Sequence, residues 1–428
     1  DMSCQGDRPP APGDAPTRRF RGRLHFTTMT EETSGDEGPR VPVSNPAGFA
    51  GPTLPTATEQ PSATFTQAAP SRTGRPRRIW LWALSVAIVV AIVVASRVDL
   101  NEYAIQPGTA QSVQQFITVP KAKSHPVTHP VLLTDVQIAR VSALSYLYFK
   151  VQGNTAFESV PSVTGGTPPS QQLAQGQLEM SQAETAAKTA ALTRLGYRVT
   201  STAVGAVVAG TFAGTPAYPV LNVGDVITAI DGVATPNAVA LTMTLDHYHS
   251  GQTIELTVLR NNQGAAVRVP VTLKRTLVDV GLAKPVPVDL GIQPENQVDY
   301  TYPFPVSINV TNIGGPSAGL AMTLGVMDAL TNGSLTGSKT VAATGTMDSS
   351  GDVGDVGGVP QKTVAVENAG ATIFLVPPQE YSAALSKDRP GLKIFKVSTL
   401  NQALSVLAAN SGHVPPLSAA TSTTPTSG

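Results

Sequence analysis

Cysteine is nearly absent from this chain: Cys4 is its only one in 428 residues. No internal disulfide can form, so any folded part downstream must be held by core packing, and a cysteine nucleophile is excluded there. Charge is sparse at 14%, with 29 basic residues against 29 acidic ones, and no basic face argues for nucleic acid as a partner. The histidines are His25, His125, His129, His247, His249 and His413. None lies between Val288 and Ala409, so a Ser-His-Asp triad confined to that stretch is impossible. His247 and His249 are two positions apart without an evident third ligand, and no metal is read there. G-x-G-x-x-G is missing, and Gly333-x4-Ser338-Lys339-Thr340 has serine where a phosphate-binding loop needs its second glycine. Neither ATP nor any other cofactor is expected. Gly (38) and Pro (36) are plentiful, which fits a turn-rich protein containing strands.

The most informative stretch is Asn312-Ile313-Gly314-Gly315-Pro316-Ser317-Ala318-Gly319. A small-residue turn leads into the apolar run Leu320–Leu330, whose spacing predicts a buried helix, with Pro316 suited to its first position. Ser317 then stands at a helix N-terminus, among unpaired N–H groups that favour an oxyanion. The same pattern also describes a serine that only caps a helix. Downstream, glycine and aspartate clusters from Thr344 to Gly358 predict tight turns between short strands. Asp348, Asp352 and Asp355 do not fit a calcium loop and are read as turn residues. Gln361–Ala369 follows as a short helix with Gly370 as its stop, and Lys362 falls in its first turn. Burial there lowers a lysine's pKa, as a general base requires, although most lysines at helix starts are solvated.

Together these segments resemble the proteolytic domain of the Lon-type serine proteases. The Gly-Pro-Ser-Ala-Gly element lies at Gly315–Gly319, Thr-Gly at Thr344-Gly345, and Gly-Gly-x-x-x-Lys at Gly357–Lys362, over a span of roughly Val288 to Ala409. The resemblance implies Ser317 as nucleophile, Lys362 as its base and Thr344 as the hydroxyl that holds the lysine. Gly314, Gly315, Pro316 and Ala318 would shape the turn and its oxyanion hole. Thr346 departs from the acidic residue that often follows Thr-Gly in the ATP-dependent enzymes.

Ile79–Ser96 is eighteen residues without a charge, close to the shortest run that spans a bilayer. Arg72, Arg75, Arg77 and Arg78 precede it and Arg97 follows, which predicts a cytoplasmic N-terminus and an extracytoplasmic remainder. The competing reading, a cleaved signal peptide, finds no small-x-small site and too long a preceding segment. Residues 1–78 and 411–428 are expected to be disordered, 97–130 a stalk, 131–275 a PDZ-containing domain and 276–410 the proteolytic domain. Met2 and Met29 are both possible initiators.

The middle region predicts strands at Val204–Val208, Val226–Ile230, Ile254–Leu259 and Val267–Leu273 and a helix from Leu173 to Leu195. The run Leu221–Gly232, with Gly224-Asp225 and Asp231-Gly232, resembles a PDZ domain, a module that binds an extended peptide at a sheet edge. Leu195, Gly196, Tyr197 and Val199 are the candidate carboxylate-binding loop, a helix C-cap being the equal alternative. Anchor, PDZ-like and Lon-like parts in this order resemble the bacterial PDZ-containing Lon-like proteases of the YlbL type. The expected fold class is α+β with one transmembrane helix. The expected function is an ATP-independent serine endopeptidase at the outer face of the membrane, acting on proteins or peptides, with a homo-oligomer left open as its assembly. The rival is a non-catalytic PDZ scaffold.

Overall fold

A computed structural model describes residues 76–164, 167–260, 262–280, 284–310 and 313–416; most of both expected disordered tails lies outside them. One unit contributes a single helix, Pro76–Arg97, 22 residues long and long and apolar enough to cross a membrane. It contains the whole uncharged run Ile79–Ser96.

The larger unit is built around a six-stranded mixed sheet, ordered Lys393–Lys396, Ile373–Val376, Val341–Ala343, Leu132–Ser142, Asp99–Ser112, Ala156–Ser159. The first four are parallel neighbours, and Asp99–Ser112 runs antiparallel to both strands beside it. Alternation along the strands divides the apolar side chains between two faces. Leu133, Val341, Ala343, Ile373 and Leu375 face a core shared with the helices Pro169–Arg194, Gly319–Leu330 and Leu400–Ala409. Ala342, Phe374, Val376 and Ile394 face the opposite way, towards Val359–Asn368 and Tyr381–Leu385. The sheet is therefore covered on both sides, and every residue of Gly319–Leu330 is buried. That explains its largely apolar character, interrupted only by Thr323 and Asp328.

A second six-stranded sheet has the main order Ile292–Thr301, Thr200–Thr211, Val226–Ile230, Thr253–Arg260, Gln263–Thr272. With the helix Ala238–Leu245 it encloses its own core of Ala206, Val208, Ile227, Leu241, Leu256 and Leu290. This module is inserted into the fold of the first sheet. Chain enters it from the helix Pro169–Arg194 and leaves after Thr301, which pairs with Thr200. At this neck Tyr197 and Phe304 meet edge to face at 4.9 Å, with the Lys123 ammonium over both rings at 5.4 and 4.8 Å.

Two expected boundaries are corrected by this pairing. Residues 97–130 are not a stalk, because Asp99–Ser112 is an internal strand of the first sheet. Only the consecutive Tyr103, Ala104 and Ile105 are buried in it, so its sequence lacks the alternation that marks a strand. Likewise 131–275 is not one domain. Residues 132–194 build the first core, whereas 276–301 stay with the inserted module through the pair Thr276–Val278 with Val286–Val288 and the edge strand Ile292–Thr301.

Candidate active site

The Ser317 backbone carbonyl and the Lys362 side chain meet Thr344 from opposite faces of the first sheet. Ser317 sits in the 3-10 turn Pro316–Ala318, and the α-helix starts only at Gly319, so the serine precedes the helix instead of opening it. Gly315 holds a φ of 84°, which favours glycine, and turns the chain into Pro316. Lys362 lies in the first turn of Val359–Asn368, its own N–H donating to Gly358 O at 2.9 Å. Between them, Thr344 and Gly345 follow directly on the central parallel strand Val341–Ala343. Crevices at the carboxyl ends of parallel strands are where such folds place chemistry.

Backbone bonds lock the parts together. Gly345 N–H donates to Ser317 O at 3.0 Å, and Leu320 N–H donates to Gly345 O at 3.1 Å. Gly319 approaches so closely that a Cβ there would lie 2.6 Å from Met347 N. Thr344 Oγ1 donates to Ser317 O at 3.3 Å and accepts from Lys362 Nζ at 3.2 Å. Lys362 is only 1% exposed, and Ser317 and Thr344 are buried as well. Burial brings the Lys362 pKa down to about 7, while the carboxylates of Asp135 and Glu380 pull it back upwards. Burial in turn raises the Glu380 pKa, as does Asp355, against the lowering effect of Lys362.

The other expected site residues divide. Gly314 packs so near Gly176 that a Cβ on it would lie 3.5 Å from Gly176 Cα, and Gly315 N–H is committed to Gly176 O at 2.9 Å, so it is not free for an oxyanion. Pro316 opens the turn and Ala318 closes it. Leu195, Gly196, Tyr197 and Val199 lie at the entry to the inserted module. Leu195 caps the helix Pro169–Arg194, Gly196 turns the chain with a φ of 82°, and Leu195, Tyr197 and Val199 pack on the first core. The C-cap alternative describes them. In the inserted module Ile292–Thr301 and Gln263–Thr272 are the two edge strands, and Asn296 Oδ1 accepts from Ala238 N–H at 3.0 Å, tying the first of them to the helix.

The helix Pro169–Arg194 escaped the sequence reading as a support for the site. Besides Gly176, it supplies Glu184, whose Oε1 accepts from Val310 N–H at 3.0 Å just upstream of the serine turn. A glycine inside a helix of good helix formers was the available signal. Asp135 and Glu380 had none, being remote in sequence from both motifs. Among the described residues no group of histidine, cysteine, aspartate and glutamate side chains forms a metal site.

Comparison with known proteins agrees with this division. Residues 301–409 match the Lon protease (S16) C-terminal proteolytic domain, and residues 193–271 match the PDZ domain. A curated relative, Lon protease 2 of Bacillus subtilis (strain 168), is 33% identical over 121 residues. That alignment covers 28% of this chain and 21% of the relative, so the chain spans about a fifth of that protein's length. Two solved structures also match. The PDZ domain of an SdrC-like protein from Listeria monocytogenes shows 24% identity over 21% of this chain and 87% of its own, with a TM-score of 0.17. The second domain of another Listeria protein shows 23% identity over 21% of this chain and 82% of its own, with a TM-score of 0.16. The Lon-type match falls on the part of the first sheet's fold that carries Ser317 and Lys362, and the PDZ match falls on the inserted module.

Proposed function

We propose that this protein is a membrane-anchored, ATP-independent serine endopeptidase working through a Ser317–Lys362 dyad. The supporting observation is the buried lysine: an amine held out of water with its pKa near 7 is a competent base at neutral pH. A scaffold gains nothing from a buried lysine, which costs stability. In this mechanism Lys362 takes the Ser317 hydroxyl proton as Oγ attacks the scissile carbonyl. Thr344 Oγ1 keeps the amine in place, and backbone N–H groups of the turn, Ala318 among them, stabilise the oxyanion. The protonated Lys362 then returns its proton to the leaving amine, and an activated water releases the acyl group from Ser317.

The PDZ domain supplies recognition. An extended segment of the substrate adds as a strand along Ile292–Thr301, beneath the helix Ala238–Leu245, and is presented to the protease. The helix Pro76–Arg97 anchors the chain, with both domains on the extracytoplasmic side by the arginine asymmetry around it.

Ser317→Ala and Lys362→Ala are each expected to abolish peptide cleavage while the folded state persists, and the double variant to be no worse than either. Near-wild-type turnover in either single variant would exclude the dyad. Orientation is tested separately in intact cells. A membrane-impermeant thiol label should reach cysteine at Ser382→Cys and spare Cys4.

A further inference from the structure

The helix Ala143–Gln152 carries an apolar stripe with nothing on it. None of its ten residues is buried. Leu144, Leu147, Tyr148 and Val151, at the i, i+3, i+4, i+7 spacing of one helix face, are 38, 63, 60 and 84% exposed. The helix is nevertheless firmly held. Ser142 and Ser145 form a reciprocal capping box at its start, and Gly153 ends it with a φ of 76°. On its inner side the Tyr146 ring lies 4.4 Å from Phe157 of the neighbouring strand. A fixed helix with an uncovered apolar face marks an interaction surface.

Its position in the chain says what covers it. Ala143 N–H donates to Val98 O at 2.9 Å. Val98 is the first residue after Arg97, where the long apolar helix ends. A span ending at Arg97 releases the chain at headgroup level, so the start of Ala143–Gln152 is one hydrogen bond from the point of exit. Val98 and Leu100 add exposed apolar surface beside it. Lys150 flanks the stripe with its ammonium over the Tyr146 ring at 5.4 Å, and Lys387 Nζ donates to Gly153 O at the far end, 3.1 Å away. These are suitable positions for cations meeting anionic headgroups.

We propose that Ala143–Gln152 is an interfacial helix whose Leu144, Leu147, Tyr148 and Val151 insert into the bilayer leaflet facing the protease body. It is a second membrane contact that fixes the protease at a set height and tilt above the lipid. The proposal rests on the reading of Pro76–Arg97 as a membrane anchor.

The chain has only two tryptophans, Trp80 and Trp82, which makes a clean test possible. The full chain carrying Trp80→Phe and Trp82→Phe receives one reporter, Tyr148→Trp or Val151→Trp. Each protein is reconstituted into phosphatidylcholine–phosphatidylglycerol vesicles with or without bromine on the upper acyl carbons. Aqueous iodide is the opposing quencher. A third protein keeps Trp82 alone, and a fourth carries Val239→Trp on the PDZ surface. Severalfold quenching by brominated lipid at 148 and 151, little at 239, and weak iodide quenching at 148 and 151 is the expected pattern. Quenching at Trp82 with none at 148 and 151 overturns the interfacial helix while the anchor stands. No lipid quenching at Trp82 brings down the anchor and the proposal with it. Positions 148 and 151 shielded from both quenchers mean that a protein surface covers the stripe, which also overturns the proposal.

Discussion

Lys362 ties both stability and activity to pH, and both can be calculated. In water a lysine with a pKa of 10.5 is neutral in only about 1 molecule in 3,000 at pH 7. With its pKa brought to about 7, about half the molecules carry the free amine, a gain of roughly a thousandfold in competent base. The corresponding cost falls on the fold. Because the folded-state pKa is depressed, the unfolded chain binds the proton more tightly, so stability rises with pH between about 7 and 10.5. Below pH 7 the penalty is complete, on the order of 5 kcal/mol at 1.36 kcal/mol per pKa unit. Lys362→Met keeps an unbranched apolar stem and removes the amine, at a loss of about 1 kcal/mol for the bond to Thr344. The variant should therefore be inactive yet more stable than wild type by about 2 to 4 kcal/mol at neutral pH. Denaturant melts between pH 6 and 10 should show this gap closing as pH rises, while wild-type peptide cleavage climbs with a midpoint near 7. Glu380→Gln removes a carboxylate that favours the ammonium form and should move the cleavage midpoint to lower pH. A stability gap that stays constant across this range, or a cleavage rate already flat from pH 6 to 9, would refute the reasoning.

Asp328 has the opposite sign. Burial raises its carboxyl to about 6, with Oδ1 accepting from Leu335 N–H at 2.8 Å and Oδ2 unpartnered. The native state keeps this proton longer than the unfolded chain, so its contribution is lost as pH rises from about 4 through 6. Asp328→Asn should be more stable at pH 7 by up to about 3 kcal/mol; an equal denaturant midpoint at pH 7 would count against it. Gly176→Ala places its Cβ at ordinary contact, 3.7 Å from Gly314 Cα. It should gain about 0.5 to 1 kcal/mol in thermal melts with cleavage retained, whereas Gly176→Leu should push on the serine turn and lower kcat. Since Thr200 and Thr301 are paired neighbours, replacing 200–301 by a short Gly–Ser linker should leave the protease folded. Cleavage of a short peptide is then expected to persist while cleavage of a protein substrate falls; equal loss on both would make the PDZ domain structural support.

Local patterns in the sequence were enough for the elements with strong periodicity or special residues. The charge-free run at Ile79–Ser96, the largely apolar Leu320–Leu330 and the short lysine helix stopped by Gly370 each follow from their own residues, because helix burial and capping are local demands. The PDZ signature at Gly224–Gly232 was equally legible. Strand Asp99–Ser112 was not, since it is held by partners from Leu132–Ser142 and Ala156–Ser159 and buries only three adjacent side chains. For the same reason the edge strand Ile292–Thr301 read as protease, and the packing of Leu195, Tyr197 and Val199 on the first core was not legible locally.

The sequence by itself determined which chemistry this chain has available: a serine after a glycine turn, a lysine at a helix start, and neither histidine nor cysteine beside them. Only the tertiary structure decided that Pro169–Arg194 lies against the serine turn and that the serine and lysine helices converge from opposite faces at Thr344. It also decided that Lys362 loses its water. Solvation, and with it a pKa, depends on atoms gathered from Asp135 to Glu380, and no local pattern in the chain encodes that distance.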